Sequence, residues 1–324
     1  MPTRPKYLVF IVSLFLFFTW TSPAIGSSID KLENLSDSDF IPEVRRAASR
    51  ALARKYIDQK IPATELTQKA ENAGTVQLRE AVIEALTRRY KDAKRVGSLE
   101  EALKKANELE EKVKVGEIPA VREAASSALG LYYLAFNLHD VEGYSMGELE
   151  NKAIEAKDSG LKKAAATSLE FVYPNHYTAK GLIDLINSTS HKWIKRGSAG
   201  GLAIRYYSEM SPNPKLETLR EMASDENESR FIREAAGRAF GKLALDQVNS
   251  EQLEELALSG NTEEIREGAA EAWSRKLTRS EKTQEELLRM ASAATGFAPP
   301  AYRSAITTAL ADRMYKTGPS IQGG

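Results

Sequence analysis

The chain of 324 residues contains no cysteine and no excess of charge of either sign. The missing cysteines exclude disulfide bonds, thiolate zinc sites, cysteine nucleophiles and lipid attachment through cysteine. Lys+Arg and Asp+Glu both number 45, whereas a nucleic-acid-binding protein normally carries a clear excess of basic residues. We therefore expect no nucleic acid among the partners, and no anionic membrane surface as the main target.

Signatures of strands and of catalytic sites are also scarce. Alternating β-branched runs are essentially missing after residue 26. No two of the histidines His139, His176 and His191 are three or four residues apart, so no helix would present two imidazoles to one metal. Residues 197–201 are glycine-rich but lack the Lys-Ser/Thr and the preceding strand of a phosphate-binding loop. We predict no catalytic residue, no metal site and no cofactor, and a protein that is not an enzyme.

The N-terminus has the features of an export signal. Arg4 and Lys6 precede a mostly apolar run of 14 residues, 7–20, and Ala24 and Gly26 are small enough for a signal peptidase. A run of this length is short for a hydrocarbon core of about 30 Å. We predict a signal peptide at residues 1–26, no stable membrane span after its cleavage, and a periplasmic or extracellular protein. An uncleaved anchor is the alternative.

One sequence pattern recurs eight times along the chain, and positions within it are numbered here from its first residue. An apolar residue is followed by a base at +1, small residues at +3, +4 and +7, and a large apolar residue at +8. These offsets place the shared residues on one face of a helix, where alanine allows a neighbouring helix to approach closely. The copies begin at Val44, Leu78, Val121, Leu161, Ile194, Ile232, Ile265 and Tyr302.

Another amphipathic helix is predicted between successive copies of the pattern, for example near residues 215–222 and 253–257. Residues 35–39 (LSDSD) followed by 44–52 (VRRAASRAL) resemble the HEAT-like repeat of the phycobilisome lyase type. This resemblance covers about residues 30 to 315. It implies an all-α fold, an α-α superhelix of about eight antiparallel helix pairs, in which the second helices line a concave surface. At a spacing of about 10 Å, eight pairs would make a curved rod of roughly 80 Å.

The resulting domain organisation is a signal peptide at 1–26, a HEAT-like repeat solenoid at 27–315 and a flexible C-terminal tail at 316–324. The base at +1 recurs in all copies, and the resemblance implies a structural ladder in which it pairs with loop acids such as Asp37, Asp39 or Asp225. A basic stripe for an acidic ligand is the alternative. These bases are Arg45, Arg79, Arg122, Lys162, Lys195, Arg233, Arg266 and Arg303.

The positions +6 and +10 share one side of the helix and differ from copy to copy. The outer copies carry mostly charged residues there, whereas the middle three carry apolar residues at +10 and small ones at +6. We predict that this side faces the groove and forms an apolar patch with charged walls, which is typical of a binding site. The alternative is that these residues, and above all the tyrosines at +12, belong to the core. The candidate partner-binding residues are Leu131, Phe171, Ile204, Tyr133, Tyr173, Tyr206 and Trp193.

These observations predict an exported, non-enzymatic binding or scaffold protein that engages a protein or peptide partner through its concave face. Two alternatives stay open. One is a chromophore- or cofactor-handling lyase-like protein, which the resemblance suggests, and the other is a purely structural element of the cell envelope.

Overall fold

The computed structural model describes residues 28–92, 98–209 and 215–318, and over these ranges it contains sixteen helices and no strand. The predicted all-α fold is confirmed. The predicted signal peptide lies outside the described residues, as do residues 319–324 of the predicted tail, while Lys316 and Thr317 belong to the last helix. The helices are α1 (Ser28–Ser38), α2 (Pro42–Asp58), α3 (Ala63–Asn72), α4 (Val76–Asp92), α5 (Leu99–Val115), α6 (Pro119–Leu138), α7 (Met146–Glu155), α8 (Ser159–His176), α9 (Ala179–Ser188), α10 (Lys192–Glu209), α11 (Lys215–Ser224), α12 (Arg230–Gln247), α13 (Ser250–Ser259), α14 (Glu263–Arg279), α15 (Gln284–Ala294) and α16 (Pro300–Thr317).

All eight copies of the repeat pattern lie in even-numbered helices. Local signals set where the helices begin, since proline occupies the first turn of α2, α6 and α16. Ser145 and Glu148 form a capping box at the start of α7, and Thr283 and Glu286 form another at α15. Within the described ranges, no helix is both long and apolar enough to cross a membrane.

The even-numbered helices form a closed ring. Each packs against the next even-numbered helix, and α16 packs against α2. Each odd-numbered helix packs on the even-numbered helix that follows it. Among the described helices, odd-numbered ones pack mainly on even-numbered ones and not on one another. We call the even-numbered helices the inner helices, the odd-numbered ones the outer helices, and the enclosed space the lumen.

Contacts between α2 and α16 close the ring, and we call this interface the seam. The Arg303 guanidinium donates to the Glu43 carboxylate at 2.9 Å, and the Arg54 guanidinium donates to the Asp312 carboxylate at 3.1 Å. Residue numbers rise together along both helices, so α2 and α16 run parallel. The curved rod that we expected from the sequence is wrong. In a rod the first and last repeats would lie far apart, whereas here they pack against each other at the seam.

Glycine and alanine bring neighbouring inner helices close together, as the small residues of the repeat predicted. One close approach is between α12 and α14, where a Cβ atom added to Gly268 would lie 2.3 Å from the carbonyl oxygen of Gly237. A Cβ atom added to Gly241 would lie 2.5 Å from the carbonyl oxygen of Gly268. Side chains at this crossing would force the two backbones apart.

Four of the eight bases at +1 hold loops. Arg79, Lys162 and Arg266 donate to carbonyl oxygens at the end of the preceding outer helix or just after it. Arg233 donates to two loop carbonyls and to the carboxylate of Glu264, the residue directly before the first position of the next copy. The bonds of these four bases therefore form a structural ladder, although most acceptors are backbone carbonyls and not the predicted aspartates.

Candidate functional site in the lumen

The lumen is lined by the side of the inner helices that carries positions +6 and +10. Arg50 and Thr308, both at +6, are hydrogen-bonded across the seam, and Arg54 and Asp312 pair there at +10. The Arg238 guanidinium of α12 reaches the Glu170 carboxylate of α8 at 2.6 Å. Because α10 lies between these two helices in the ring, the pair can meet only on the lumen side.

The three apolar residues predicted at +10 occupy equivalent places on three consecutive inner helices, α6, α8 and α10. Phe171 is 43% exposed, and Leu131 and Ile204 are half-buried. Tyr207, one turn beyond Ile204, is 44% exposed, and its ring has the Lys242 ammonium 5.4 Å from its centroid. This arrangement makes one apolar sector of the lumen wall, which we define by Leu131, Phe171, Ile204 and Tyr207.

The three predicted tyrosines at +12 lie elsewhere. Tyr133, Tyr173 and Tyr206 are at most 3% exposed and belong to the core. The Tyr133 hydroxyl donates to the Glu110 carboxylate of α5 at 2.7 Å, and burial followed by this hydrogen bond raises the pKa of Tyr133 above its usual range. Burial, with a smaller contribution from Glu228, raises the pKa of Tyr206 to about 12. With these side chains buried, a partner in the lumen would not contact them.

Trp193 does not join the apolar sector either. It lies in the first turn of α10, eleven positions before Ile204, which corresponds to about 16 Å along a helix axis. Its half-buried ring has the Lys192 ammonium at 5.7 Å and the Arg196 guanidinium at 5.9 Å from its centroid. Trp193 therefore lies at the opposite end of α10 from Ile204 and Tyr207, the residues that α10 contributes to the apolar sector.

A charged sector of the lumen wall adjoins the seam. Here α2, α4, α6 and α16 surround a cavity of about 670 Å³. Burial raises the pKa of Glu84 and lowers that of Lys91, and the neighbouring Arg88 lowers the pKa of Lys91 further. The cavity is lined by Arg54, Ile57, Asp58, Glu84, Thr87, Arg88, Lys91, Ser127 and Tyr315.

The ion pair between Glu170 and Arg238 is a feature that the sequence analysis missed. Gly200 at +6 of α10 leaves room for it, since a Cβ atom added there would lie 2.2 Å from the Glu170 side chain. The predicted open centre is therefore partly covered by a charged pair. Glu170 stands at +9 of its copy. The sequence of that copy alone could not predict that its carboxylate reaches over α10 to Arg238.

The three histidines are not brought together around the lumen. His139, His176 and His191 are exposed and lie at the ends of helices. Among the described residues, no cluster of three or more His, Asp or Glu side chains could hold a metal ion. The arrangement is suited to non-covalent binding, through apolar contact on one side and charge on the other.

Comparisons with protein-family models, with curated proteins and with solved structures find no match to this chain.

Proposed function

We propose that this protein is an exported, non-enzymatic binding or scaffold protein that engages a protein or peptide partner through the lumen of a ring of HEAT-like repeats. One observation carries the proposal: the lumen wall is divided into an apolar and a charged sector. The apolar sector contains Phe171 and Tyr207, which are 43% and 44% exposed. Exposed aromatic side chains beside charged groups are typical of sites that bind proteins or peptides.

The dimensions of the ring favour an extended segment over a folded domain. Eight inner helices spaced at about 9 to 10 Å would place opposite helix axes about 24 Å apart. Subtracting a helix diameter of about 10 to 12 Å leaves roughly 12 to 14 Å of free width. An extended peptide fits such a width, and it would enter from one open end of the ring.

The two sectors also indicate the composition of the segment. Apolar side chains of the peptide would contact Leu131, Phe171 and Ile204. In the charged sector Arg54, Arg88 and Lys91 are balanced in part by Glu84 and Asp58, so a segment with mixed charge is favoured over a purely acidic one. Export to the periplasm or the extracellular space is part of this proposal and rests on the N-terminal sequence.

Site-specific photo-crosslinking tests the proposal. A benzophenone amino acid replaces Phe171 in the lumen and, in a matched control, Leu258 of outer helix α13, which is 46% exposed. We expect a discrete adduct with a protein or peptide from the exported fraction at position 171 and none at position 258. No adduct at position 171, or the same adduct at both positions, would refute lumen binding, provided that both variants unfold at the wild-type temperature.

A further inference from the structure

Trp193 lies at a mouth of the lumen, on the side of α10 that faces the enclosed space. It stands seven residues before Gly200 at +6 and eleven before Ile204 at +10. With 3.6 residues per turn, these offsets place the three residues within about 40° of one another around the helix axis. A segment that enters the lumen from the end at which α10 begins would therefore pass Trp193 before it reaches the apolar sector.

Two exposed bases accompany the half-buried Trp193 ring. The Lys192 ammonium lies 5.7 Å and the Arg196 guanidinium 5.9 Å from the ring centroid. These distances make the three side chains one contiguous cluster, which we call the mouth site. Among the residues that the structure describes, neither Lys192 nor Arg196 forms an ion pair or a hydrogen bond with a carboxylate. The mouth site therefore combines an aromatic ring with two cations that are available to an anion.

The mouth site lies in a basic stretch of a chain that is balanced in charge as a whole. Residues 185–208 contain no Asp or Glu, and they contain Lys192, Lys195, Arg196 and Arg205. Over the whole chain Lys+Arg and Asp+Glu both number 45. This local surplus of positive charge attracts an anionic group to the entrance of the lumen.

On the described neighbouring helices, the acids at the level of Arg196 are engaged by other bases. Arg196 stands at +2 of α10, which lies between α8 and α12 in the ring. The Glu123 carboxylate, at +2 of α6, pairs with Lys163 of α8 at 3.6 Å. The Glu234 carboxylate, at +2 of α12, pairs with Arg230 at 2.8 Å. The mouth site is thus left to a carboxylate that a partner brings.

We propose that the mouth site binds a carboxylate of the partner segment, contributed by an aspartate or glutamate about five residues from the apolar residue that contacts Ile204. This inference rests on the proposed lumen function and adds the composition and spacing of the segment. Trp193 and Ile204 are about 16 Å apart along the axis of α10, a distance that about five residues of extended chain cover. Lys192 and Arg196 donate charge-assisted hydrogen bonds to the carboxylate, and the Trp193 ring packs against the adjoining chain.

Fluorine NMR of the full chain labelled with 5-fluorotryptophan tests the proposal, because Trp193 then reports on its own site. The probe is the peptide acetyl-Asp-Ser-Gly-Ser-Gly-Phe-amide at millimolar concentration, and the matched peptide has Asn in place of Asp. We expect the Asp peptide to shift the Trp193 signal, which Trp193→Phe identifies. The Asn peptide should bind about fivefold more weakly, since the charge-assisted hydrogen bonds are lost. Trp273, fully buried and stacked on Tyr302, is the internal control and should not shift.

Two double variants show whether the two bases carry the response. Lys192→Ala/Arg196→Ala removes only exposed side chains, should keep the wild-type melting temperature and should abolish the shift. Lys180→Ala/Lys282→Ala removes the same charge at exposed positions in α9 and just before α15, and should leave the shift unchanged. An equal shift with the Asn peptide or with inorganic phosphate, or a shift that survives Lys192→Ala/Arg196→Ala, would overturn the proposal.

A third peptide, with Ser in place of Phe, separates this inference from the proposed lumen function. Weaker binding of this peptide supports engagement of the apolar sector at the expected spacing. If Phe makes no difference while Asp is still required, the carboxylate site stands and the lumen function and the spacing fail. If Phe is required and Asp is not, the lumen function stands and the mouth site fails.

Discussion

Two core tyrosines at the same repeat position differ in what their hydroxyl groups contact. The Tyr133 hydroxyl donates to the Glu110 carboxylate, whose side chain is 17% exposed. The Tyr206 hydroxyl is buried and has no hydrogen-bond partner in the part of the chain that the structure describes. A partnered and an unpartnered hydroxyl at equivalent positions give a matched pair for testing what each contributes to stability.

We expect Tyr133→Phe to lower the free energy of unfolding by about 1.5 to 3 kcal/mol, because a hydrogen bond to a charged group is lost. Tyr206→Phe should be neutral or stabilising by up to about 1 kcal/mol, since it removes only the cost of a buried unpaired hydroxyl. Urea titrations at pH 7 measure both values. Equal losses in the two variants would contradict the assignment of partners.

The raised pKa of Tyr206 gives the same variant a signature in alkali. In the unfolded chain tyrosine ionises near pH 10, whereas in the folded protein Tyr206 ionises at about 12. Its contribution is therefore fully present below pH 10 and is lost as the pH rises from 10 towards 12. Stability of Tyr206→Phe should fall less steeply than that of the wild type over this window, as followed by circular dichroism.

At the scale of the helices, the repeat pattern predicted most of the fold. Offsets of +3, +4 and +7 identify a helix face from sequence alone, and every predicted copy lies in an inner helix. The outer helices α11 and α13 were also expected from their amphipathic segments. The reach of Glu170 over α10 was not predicted, because such a contact depends on three-dimensional neighbours that no local period specifies.

The glycine crossing between α12 and α14 shows what the small-residue positions contribute. Gly268→Ala would place a methyl group 2.3 Å from the Gly237 carbonyl oxygen. We expect it to destabilise the protein by about 1 to 3 kcal/mol through overpacking. Gly147→Ala in α7, where a Cβ atom meets nothing within 4 Å, should stabilise it by about 0.5 to 1 kcal/mol. Thermal unfolding measures both, and a harmless Gly268→Ala would argue against the close approach.

For the whole molecule, the decisive feature is the closed ring. An open solenoid has two end repeats, each with one neighbour and a polar outer face. Here every inner helix has two inner neighbours, including α2 and α16. Closure results from the summed rotation of eight successive helix pairs. A small rotation at each pair decides between rod and ring, which explains why the sequence indicated the pairs and not the closure.

The seam repeats a contact found within the ring. Glu43 accepts from Arg303 at 2.9 Å, just as Glu264 accepts from Arg233 at 3.2 Å, and in both pairs the arginine stands at +1 and the glutamate just before the next copy. Glu43 is fully buried, and the Arg303 side chain is 22% exposed. The two glutamates thus make equivalent contacts at different places on the ring.

We expect Glu43→Ala to cost about 3 kcal/mol, because it leaves the Arg303 guanidinium without its buried partner. Since the seam joins helices that are distant in sequence, its loss should open the ring there and raise amide hydrogen exchange first in α2 and α16. The matched variant Glu264→Ala should instead raise exchange first in α12 and α14. Exchange that rises in the same helices for both variants would mean that the seam does not open separately from the rest of the ring.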